Sequence, residues 1–346
     1  MKFDNITALR KALGDRVCIM GHHYQGENVI QHCDIAGDSL ELARKVAGIE
    51  APHVVLCGVY FMAESAALLA RSGQYVHIPE KNADCVMAQM SPAPLLEKVL
   101  DRIVAGANGR KVIPLAYVNT SLAVKDVVGR FGGAVCTSAN AKTMLQWALK
   151  EAGVDGHVLF LPDKNLAKNT AKYLGLVEKD WHTLNVQAEG KYVDMDSLKH
   201  TKLLLWPGCC PIHAKFSVAQ IENMRATYAD CQVIVHPECS QAVVNAADGA
   251  GSTSYIIDCV KSAEKGKTII IGTEGNLVER LKRDYASSCN IVPLRSVYCS
   301  DMGKITEEKL FATLLAIYEG NAEVMQIPEE QKAPAKAALE RMLSAC

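Results

Sequence analysis

Residues 17–24 read VCIMGHHY, a short apolar run that ends in two histidines and a tyrosine. The same pattern returns at residues 112–119 as VIPLAYVN and at residues 233–238 as VIVHPE. Aliphatic runs of this length, each followed by a polar segment and then by a helical pattern, are typical of parallel α/β units. The three runs therefore predict three equivalent strands, each with polar side chains at its carboxyl end.

Each run is followed by a hydroxyl residue that opens a helical pattern. Ser39 in GDSLELARKV and Thr253 in GSTSYIIDCV stand equally far beyond the first and third runs. Ser138 in CTSANA takes this place in the middle copy, behind GRFGG at residues 129–133, which we interpret as a loop insertion. As single residues these would be ordinary helix caps. Their recurrence favours anion binding at three helix N-termini, and therefore a small substrate with several anionic groups.

Each copy closes with a further strand that runs into a cysteine. The closing stretches YVHIPEKNADC, KLLLWPGCC and IVPLRSVYC end at Cys85, at Cys209 or Cys210, and at Cys299. Repeats of this length predict three homologous αβα domains with parallel sheets, whose functional loops lie beyond the carboxyl ends of the strands. If those ends face a common centre, the cysteines and the polar triplets meet in one cavity. The predicted domains span residues 1–106, 107–229 and 230–346.

Charge and hydropathy argue against several classes of partner. The 346 residues include 37 basic and 38 acidic side chains, which leaves no strong field to attract nucleic acid or an anionic membrane. No run approaches the roughly 18 apolar residues of a membrane span. The segment Met1–Asp15 predicts a short amphipathic helix and lacks the apolar region of a signal peptide. We therefore predict a cytoplasmic protein that binds small molecules, with neither nucleic acid nor membrane as a partner.

The chain contains 13 cysteines and no C-x-x-C pair. In a cytoplasmic protein they do not predict a disulfide framework, and the spacing argues against a zinc ribbon or a ferredoxin-type run. Most of them are expected to be small apolar core residues, while Cys239, Cys289 and Cys346 remain undecided. Three cysteines at equivalent places could hold zinc, but without histidine beside them they suit a 4Fe-4S cluster with one open iron better.

The polar triplets supply groups for acid-base chemistry. Each of these residues could be a satisfied structural side chain, but as a set at strand ends they favour catalysis. An open iron would act as a Lewis acid on a hydroxyl or carboxylate of the substrate, so that water can leave. The combination favours dehydration over electron transfer. The residues concerned are His22, Tyr24, Tyr117, His236 and Glu238.

The ordered motifs GHHYQ, GDSLELA, FMAESA, PEKNADC, YVNT, CTSANA, WPGCCPIH, HPECSQAV and GSTS resemble those of the quinolinate synthase family from one end of the chain to the other. The resemblance implies three pseudo-symmetric αβα domains around one 4Fe-4S cluster with three cysteine ligands. It also implies that iminoaspartate and dihydroxyacetone phosphate condense to quinolinate, with release of phosphate and water, in de novo NAD biosynthesis. A transient contact with an aspartate-oxidising enzyme is a further expectation.

Matched position by position, the resemblance also implies individual site residues. The cluster ligands would be Cys85, Cys210 and Cys299. Cys210 is preferred to Cys209 because the family pattern reads Trp-x-Gly-x-Cys from Trp206. The catalytic residues would be Tyr24, Tyr117, His236 and Glu238. The substrate contacts would be His22, Ser39, Tyr117, Val118, Asn119, Ser138, His236, Pro237, Glu238 and Thr253.

Four features depart from the usual family pattern: the GRFGG insertion, the extra Cys209, the serine after Cys299 where proline is common, and Gln89 in place of an acidic residue. Cys209 leaves the second ligand ambiguous between two neighbours. Two other classes remain open, a zinc-dependent lyase or hydrolase that uses the same cysteines, and a non-catalytic iron-sulfur sensor. The zinc protein would be colourless and insensitive to oxygen, and the sensor would not need the acid-base set.

Overall fold

The computed structural model describes residues 3–345, so that Met1, Lys2 and Cys346, whose role is undecided, lie outside the described residues. Three sheets follow one another along the chain, and their strands pair in parallel. The first contains β1 (Val17–His22), β2 (Ile35–Gly37), β3 (His53–Cys57) and β4 (Tyr75–His77). The second contains β5 (Val112–Tyr117), β6 (Ala134–Cys136), β7 (His157–Leu161), β8 (Trp181–Thr183) and β9 (Leu203–Leu205). The third contains β10 (Gln232–Val235), β11 (Gly249–Ala250), β12 (Thr268–Gly272) and β13 (Asn290–Pro293).

The three sheets share one strand order. The orders are β2-β1-β3-β4, β6-β5-β7-β9-β8 and β11-β10-β12-β13, so that the second sheet differs only by the added edge strand β8. The central strands are apolar along their length because helices cover both faces of each sheet, and β7 is buried at every position. The predicted α/β class with three equivalent parallel units is confirmed.

Helices connect and cover the sheets. The first part of the chain contains α1 (Ile6–Leu13), α2 (Glu27–Ile30), α3 (Ser39–Val46), α4 (Tyr60–Leu69), α5 (Val86–Gln89) and α6 (Ala93–Gly106). The middle part contains α7 (Leu122–Arg130), α8 (Ala141–Ala152), α9 (Lys164–Tyr173), α10 (Gln187–Gly190) and α11 (Val218–Thr227). The last part contains α12 (Gln241–Ala246), α13 (Thr253–Lys261), α14 (Gly275–Asp284), α15 (Glu307–Glu319) and α16 (Glu329–Ser344). Short 3-10 helices lie at Gly14–Arg16, Glu178–Asp180, Ser197–Lys199, His213–Lys215 and Met302–Lys304.

The last two helices of the chain pack against units to which they do not belong in sequence. Helix α1 confirms the predicted amphipathic N-terminal helix, and Leu9 and Leu13 on its apolar face share a core with Leu310 and Leu314 of α15. Helix α16 packs on α7 of the second unit. The boundaries at 106/107 and 229/230 stay a prediction of the repeats. Within residues 3–345, the structure contains no helix that is both long and apolar enough to cross a membrane.

The GRFGG insertion is not a separate loop, because Gly129 and Arg130 form the last turn of α7 and only the remainder turns into β6. The C-terminal helix α16 packs against this segment. A Cβ atom at Gly129 would lie 1.9 Å from the backbone oxygen of Pro334 in α16. The Arg341 guanidinium donates to the carbonyl of Gly133 at 2.5 Å. The interpretation as a loop is therefore wrong for its first half, and the insertion forms part of the contact between α7 and α16.

This close approach predicts that Gly129→Ala destabilises the protein. The added methyl group must push the two helix backbones apart, which costs about 1–3 kcal/mol in well-packed interiors. We expect a lower urea midpoint for the metal-free protein, measured by circular dichroism. Gly48→Ala is the matched control, because a Cβ there meets its nearest atom at 3.6 Å. An equal midpoint for Gly129→Ala and wild type would contradict the close contact.

Candidate active site

The carboxyl ends of the three sheets surround one cavity of about 80 Å³, lined by side chains from all three units. It brings together all three predicted cluster cysteines and most of the other predicted site residues. Val118 and Pro237 are not among the described residues that line it. The predicted residues in its lining are His22, Tyr24, Ser39, Cys85, Tyr117, Asn119, Ser138, Cys210, His236, Glu238, Thr253 and Cys299.

Each polar triplet, or the segment shortly after it, is held in place by a helix of a neighbouring unit. In every case this is the helix that follows the third strand of its sheet, α4, α9 or α14. The contacts run from the first unit to the second, from the second to the third and from the third to the first, so that they close a ring. From α4, Glu64 Oε2 accepts the Leu122 N–H at 2.9 Å. From α9, the Asn169 amide donates to the carbonyls of Pro237 and Cys239 at 2.8 and 2.9 Å. From α14, the Arg280 guanidinium donates to the carbonyls of His23 and Gln25.

The Asn169 contact predicts a rate effect at a distance from the cavity. Its amide spans the carbonyls on either side of Glu238, so Asn169→Ala frees the segment that carries this carboxylate. A slight misplacement of a catalytic group can cost as much as about 10²-fold in rate, and we expect kcat to fall at least about 10-fold with little change in metal content. Asn165→Ala is the control, because Asn165 makes one longer bond, of 3.3 Å, to the Glu238 carbonyl. Equal kcat values for the two variants would argue against this role.

The histidines of the first and third triplets are held in the same way. The Tyr24 N–H donates to Nδ1 of His22 at 3.1 Å, and the Glu238 N–H donates to Nδ1 of His236 at 3.4 Å. Because Nδ1 accepts in both rings, the proton of each neutral imidazole is on Nε2. Burial lowers the pKa of both histidines to about 3. Each histidine is therefore a neutral hydrogen-bond donor at neutral pH.

Glu238 is only 3% exposed and lies between two histidines. Its Oε2 atom is 2.6 Å from Nδ1 of His213 and 3.9 Å from Nδ1 of His236. Burial alone would raise the pKa of Glu238, but the two histidines, together with a hydrogen bond from Tyr117, lower this pKa to about 2. Glu238 is therefore a buried carboxylate anion at neutral pH, with proton donors on several sides.

A chain of hydrogen bonds leads around the cavity to this carboxylate. Because Nδ1 of His213 faces the Glu238 carboxylate, its N–H donates to Glu238, and the Nε2 atom on the other side of the ring contacts the Thr273 hydroxyl. Burial raises the pKa of Tyr24 and Tyr117 well above the usual value, so both phenols keep their protons and act as donors. Glu238 is thus the last acceptor of the chain. The distances are 3.4 Å from Thr253 to Tyr24, 2.9 Å from Tyr24 to Thr273 and 3.1 Å from Thr273 to His213.

All three predicted helix caps are wrong, Ser39 and Thr253 by one residue and Ser138 by two. Asp38 caps α3 and accepts from the backbone at 2.9 Å, while Ser252 caps α13. Ser39 and Thr253 are the first residues of these helices, and their side chains line the cavity. Ser138 likewise lies ahead of α8, whose N-cap residue is Asn140. The correction favours a binding role, because the hydroxyls lie beside helix N-termini at the cavity.

The three cavity cysteines receive backbone N–H groups at their sulfur atoms. Each cysteine precedes a short helical turn, and the N–H groups of that turn lower the pKa of the thiol while burial raises it more. For Cys85 the result is a pKa of about 12. Hydrogen bonds of this kind accompany thiolates that bind iron-sulfur clusters. The N–H donors are Met87 and Ala88 for Cys85, His213 for Cys210, and Asp301 and Met302 for Cys299.

The cavity distinguishes the two adjacent cysteines. Cys210 lines it and Cys209 does not, among the described residues. A charge on Cys299 would raise the pKa of Cys85, and a charge on Cys85 would raise that of Cys210, so these three thiols are neighbours. Burial raises the pKa of Cys209 as well, but none of the cavity cysteines is among the groups that shift it. The donor set at the cavity is therefore three thiols, one from each unit.

A second set of donor atoms overlaps with the first. Side-chain atoms of Cys210, His213 and Glu238 lie within 4.8 Å of one another, a combination that also suits zinc. In the structure these atoms already bond to each other, with His213 Nδ1 at 3.2 Å from the Cys210 sulfur. An ion held here would use only one of the three cavity cysteines. The three-thiol set therefore accounts for more of the cavity.

Several functional residues were missed in the sequence. His213 lies within the motif WPGCCPIH and could have been found as a histidine three positions after a candidate ligand. Thr273 and Glu274 directly follow the third strand of their unit, and their position at the end of an apolar run could have marked them. Asn169 lies inside a helical pattern and carries no local signal, because its partners belong to another unit.

Comparisons with known proteins agree with this arrangement. A family model described as quinolinate synthetase A protein matches residues 4–344. The quinolinate synthase of Corynebacterium glutamicum is 41% identical over 343 residues, which cover 98% of this chain and 86% of that protein. The quinolinate synthase of Geobacillus kaustophilus is 40% identical over 341 residues, which cover 97% of this chain and 91% of that protein.

Proposed function

Since this chain belongs to the quinolinate synthetase A family, an enzyme family of NAD biosynthesis, we propose that it condenses iminoaspartate with dihydroxyacetone phosphate to quinolinate. One phosphate and two waters leave in this reaction. The observation that carries the proposal is the single cavity in which three thiols, three helix N-termini and the Glu238 carboxylate meet. Anion binding, acid-base chemistry and a cluster are all needed for these steps.

Cys85, Cys210 and Cys299 would hold a 4Fe-4S cluster. Their chemistry fits, because they are three thiols from three units in one cavity, each with backbone N–H groups at its sulfur. With three ligands from the protein, the cluster would supply an open iron that binds an oxygen of the substrate as a Lewis acid and eases loss of water.

The chain's own residues would move the protons. Carbon–carbon bond formation needs removal of a proton from iminoaspartate, so that its enamine carbon can displace phosphate from the three-carbon substrate. A carboxylate with a pKa of about 2 is a weak base by itself, so we assign this role to Glu238 together with His213, whose Nδ1 atom lies 2.6 Å from the carboxylate. His236 would donate from Nε2 to a substrate oxygen, and the neutral phenols of Tyr24 and Tyr117 would position the substrate and assist proton transfer.

The substrates would be recognised as anions. Ser39, Ser138 and Thr253 lie at the N-termini of α3, α8 and α13, where backbone N–H groups attract carboxylate and phosphate. Asn119 and His22 supply further donors from the triplets. Val118 and Pro237 would then contribute through their backbone or by shaping the loops. We further propose a cytoplasmic location and a transient contact with an aspartate-oxidising enzyme, which would shorten the path of the unstable imine.

Anaerobic purification of the wild-type chain tests the proposal. Iron and acid-labile sulfide would be measured together with the visible spectrum, and quinolinate would be assayed with iminoaspartate and dihydroxyacetone phosphate. We expect four irons and four sulfides per chain and quinolinate formation that oxygen abolishes. A colourless zinc protein would favour the overlapping site at Cys210, His213 and Glu238 and a zinc lyase. A cluster protein without quinolinate formation would favour the sensor.

A further inference from the structure

Each of the three cysteine loops is joined to a helix of its own unit by the same backbone contact. In each unit, the first residue of the helix after the third strand donates its N–H to the carbonyl two positions before the cavity cysteine. This contact fixes each loop to the N-terminus of α4, α9 or α14. The pairs are Tyr60 with Ala83 at 2.7 Å, Lys164 with Gly208 at 3.0 Å, and Gly275 with Val297 at 2.7 Å.

In the second and third units a buried carboxylate adds to this contact. Asp163 caps α9 with Oδ1, at 2.7 Å from the N–H of Leu166, and its Oδ2 accepts the N–H of Cys210 at 2.9 Å. Glu274 caps α14 in the same way, and its Oε1 accepts the N–H of Cys299 at 3.2 Å. Both residues are 0% exposed. One carboxylate thus joins a helix N-terminus to the backbone of a cavity cysteine.

The first unit lacks a carboxylate that joins a helix N-terminus to its cavity cysteine. Its N-cap position before α4 is Val59, which offers no acceptor side chain. The Cys85 N–H instead donates to Oδ1 of its neighbour Asp84 at 2.8 Å, and Asp84 is only partly buried. This carboxylate contact therefore occurs where the sequence places an acidic residue at the N-cap position of the helix, and it is not a general consequence of the fold.

We propose that Asp163 and Glu274 are positioning residues that hold Cys210 and Cys299 ready to bind the cluster. The inference rests on the proposed function, because it assumes that these cysteines are ligands. A carboxylate with no exposure cannot be replaced by solvent, so its loss leaves a buried N–H unpaired and lets the cysteine backbone turn. Groups that orient metal ligands typically contribute 10- to 100-fold in metal affinity. Asp163 would act on the cluster through the Cys210 backbone without lining the cavity, whereas Glu274 holds Cys299 and also forms part of the cavity lining.

A role as ordinary helix caps would explain the N-terminal bonds alone. It predicts lower stability of the protein but not a change in the cluster itself. The distinguishing variants are Asp163→Asn and Glu274→Gln, which keep the volume but can accept at one oxygen only and place an amide opposite the second N–H. Asp248→Asn is the matched control, since Asp248 accepts the Val233 N–H at 2.7 Å in the third sheet, away from the cysteine loops.

The experiment compares iron release from the anaerobically reconstituted proteins. A ferrous chelator is added, and iron loss is followed by absorbance, with the EPR spectrum of the reduced cluster as the second readout. We expect release about 10-fold faster or more from Asp163→Asn and Glu274→Gln, with an altered EPR spectrum, and wild-type behaviour from Asp248→Asn. Thermal melting of the cluster-free proteins shows whether each variant folds. If Asp163→Asn does not fold, Glu274→Gln alone tests the inference.

The outcomes separate the inference from the proposed function. Release and EPR spectra equal to wild type in the folded variants would overturn the inference and leave the cluster assignment intact. Faster release that Asp248→Asn shows equally would also overturn it, because a general loss of stability would then suffice. A wild-type chain that binds no iron would overturn the proposed function and this inference together.

Discussion

Cys210→Ala is expected to give a folded protein that assembles no intact four-iron cluster and makes quinolinate at least about 10³-fold more slowly than wild type, because the proposed Lewis-acid iron would supply several kcal/mol of transition-state stabilisation. The substitution removes the only thiol that the second unit contributes to the lining of the cavity, among the described residues. Cys85 and Cys299 would then supply only two of the three thiolates that the proposed cluster site needs. Iron, sulfide and the visible spectrum are measured after anaerobic reconstitution.

Cys209→Ala is the matched control, with the same side chain changed one position away. It is expected to retain a full cluster and near-wild-type turnover, since Cys209 does not line the cavity, among the described residues. A reversed result, with the cluster lost from Cys209→Ala and kept in Cys210→Ala, would contradict the ligand assignment. Cluster loss from both variants would indicate that the loop rather than one sulfur had been disturbed.

The strands, and the polar triplets at their carboxyl ends, could be predicted because both depend on the local sequence. Strands buried on both faces read as continuous apolar runs, and the polar triplets at their ends are the residues that face the cavity in a parallel sheet. Val112–Tyr117 shows both features within one element. The repeat also placed one cysteine per unit, but it could not choose between Cys209 and Cys210, since neighbouring positions differ only in the direction of the side chain.

The residues that were missed depend on contacts between units. Asn169 supports the Glu238 segment, and Arg280 supports the first triplet, from helices distant in sequence. No local pattern marks such residues. The helix caps failed for a different reason, because Asp38 and Ser39 are both good capping residues and only the backbone decides which one caps. Asp163 and Glu274 could have been found by extending the repeat alignment to the start of each following helix.

Glu238→Gln is expected to lower kcat by about 10² to 10⁴-fold while the cluster remains, which is the usual contribution of a general acid-base group. The amide keeps the volume of the side chain but cannot accept a proton. Its NH₂ group would also oppose the Nδ1–H of His213, now 2.6 Å from the carboxylate, and so break the hydrogen-bond chain at its last acceptor. Iron content and visible spectrum are measured beside kcat and KM.

Glu307→Gln provides the control, because Glu307 pairs with His32 at 2.9 Å in the same kind of contact on the surface of the first unit. It is expected to leave kcat unchanged, as an exposed pair contributes little beyond about 1 kcal/mol to stability. The decisive comparison is between the kcat values of the two variants, with the cluster intact and KM within a few fold of the wild-type value. Near-normal kcat in Glu238→Gln would remove Glu238 from proton transfer and shift that role to His236 or to the tyrosines, whereas a rise in KM alone would assign Glu238 to binding.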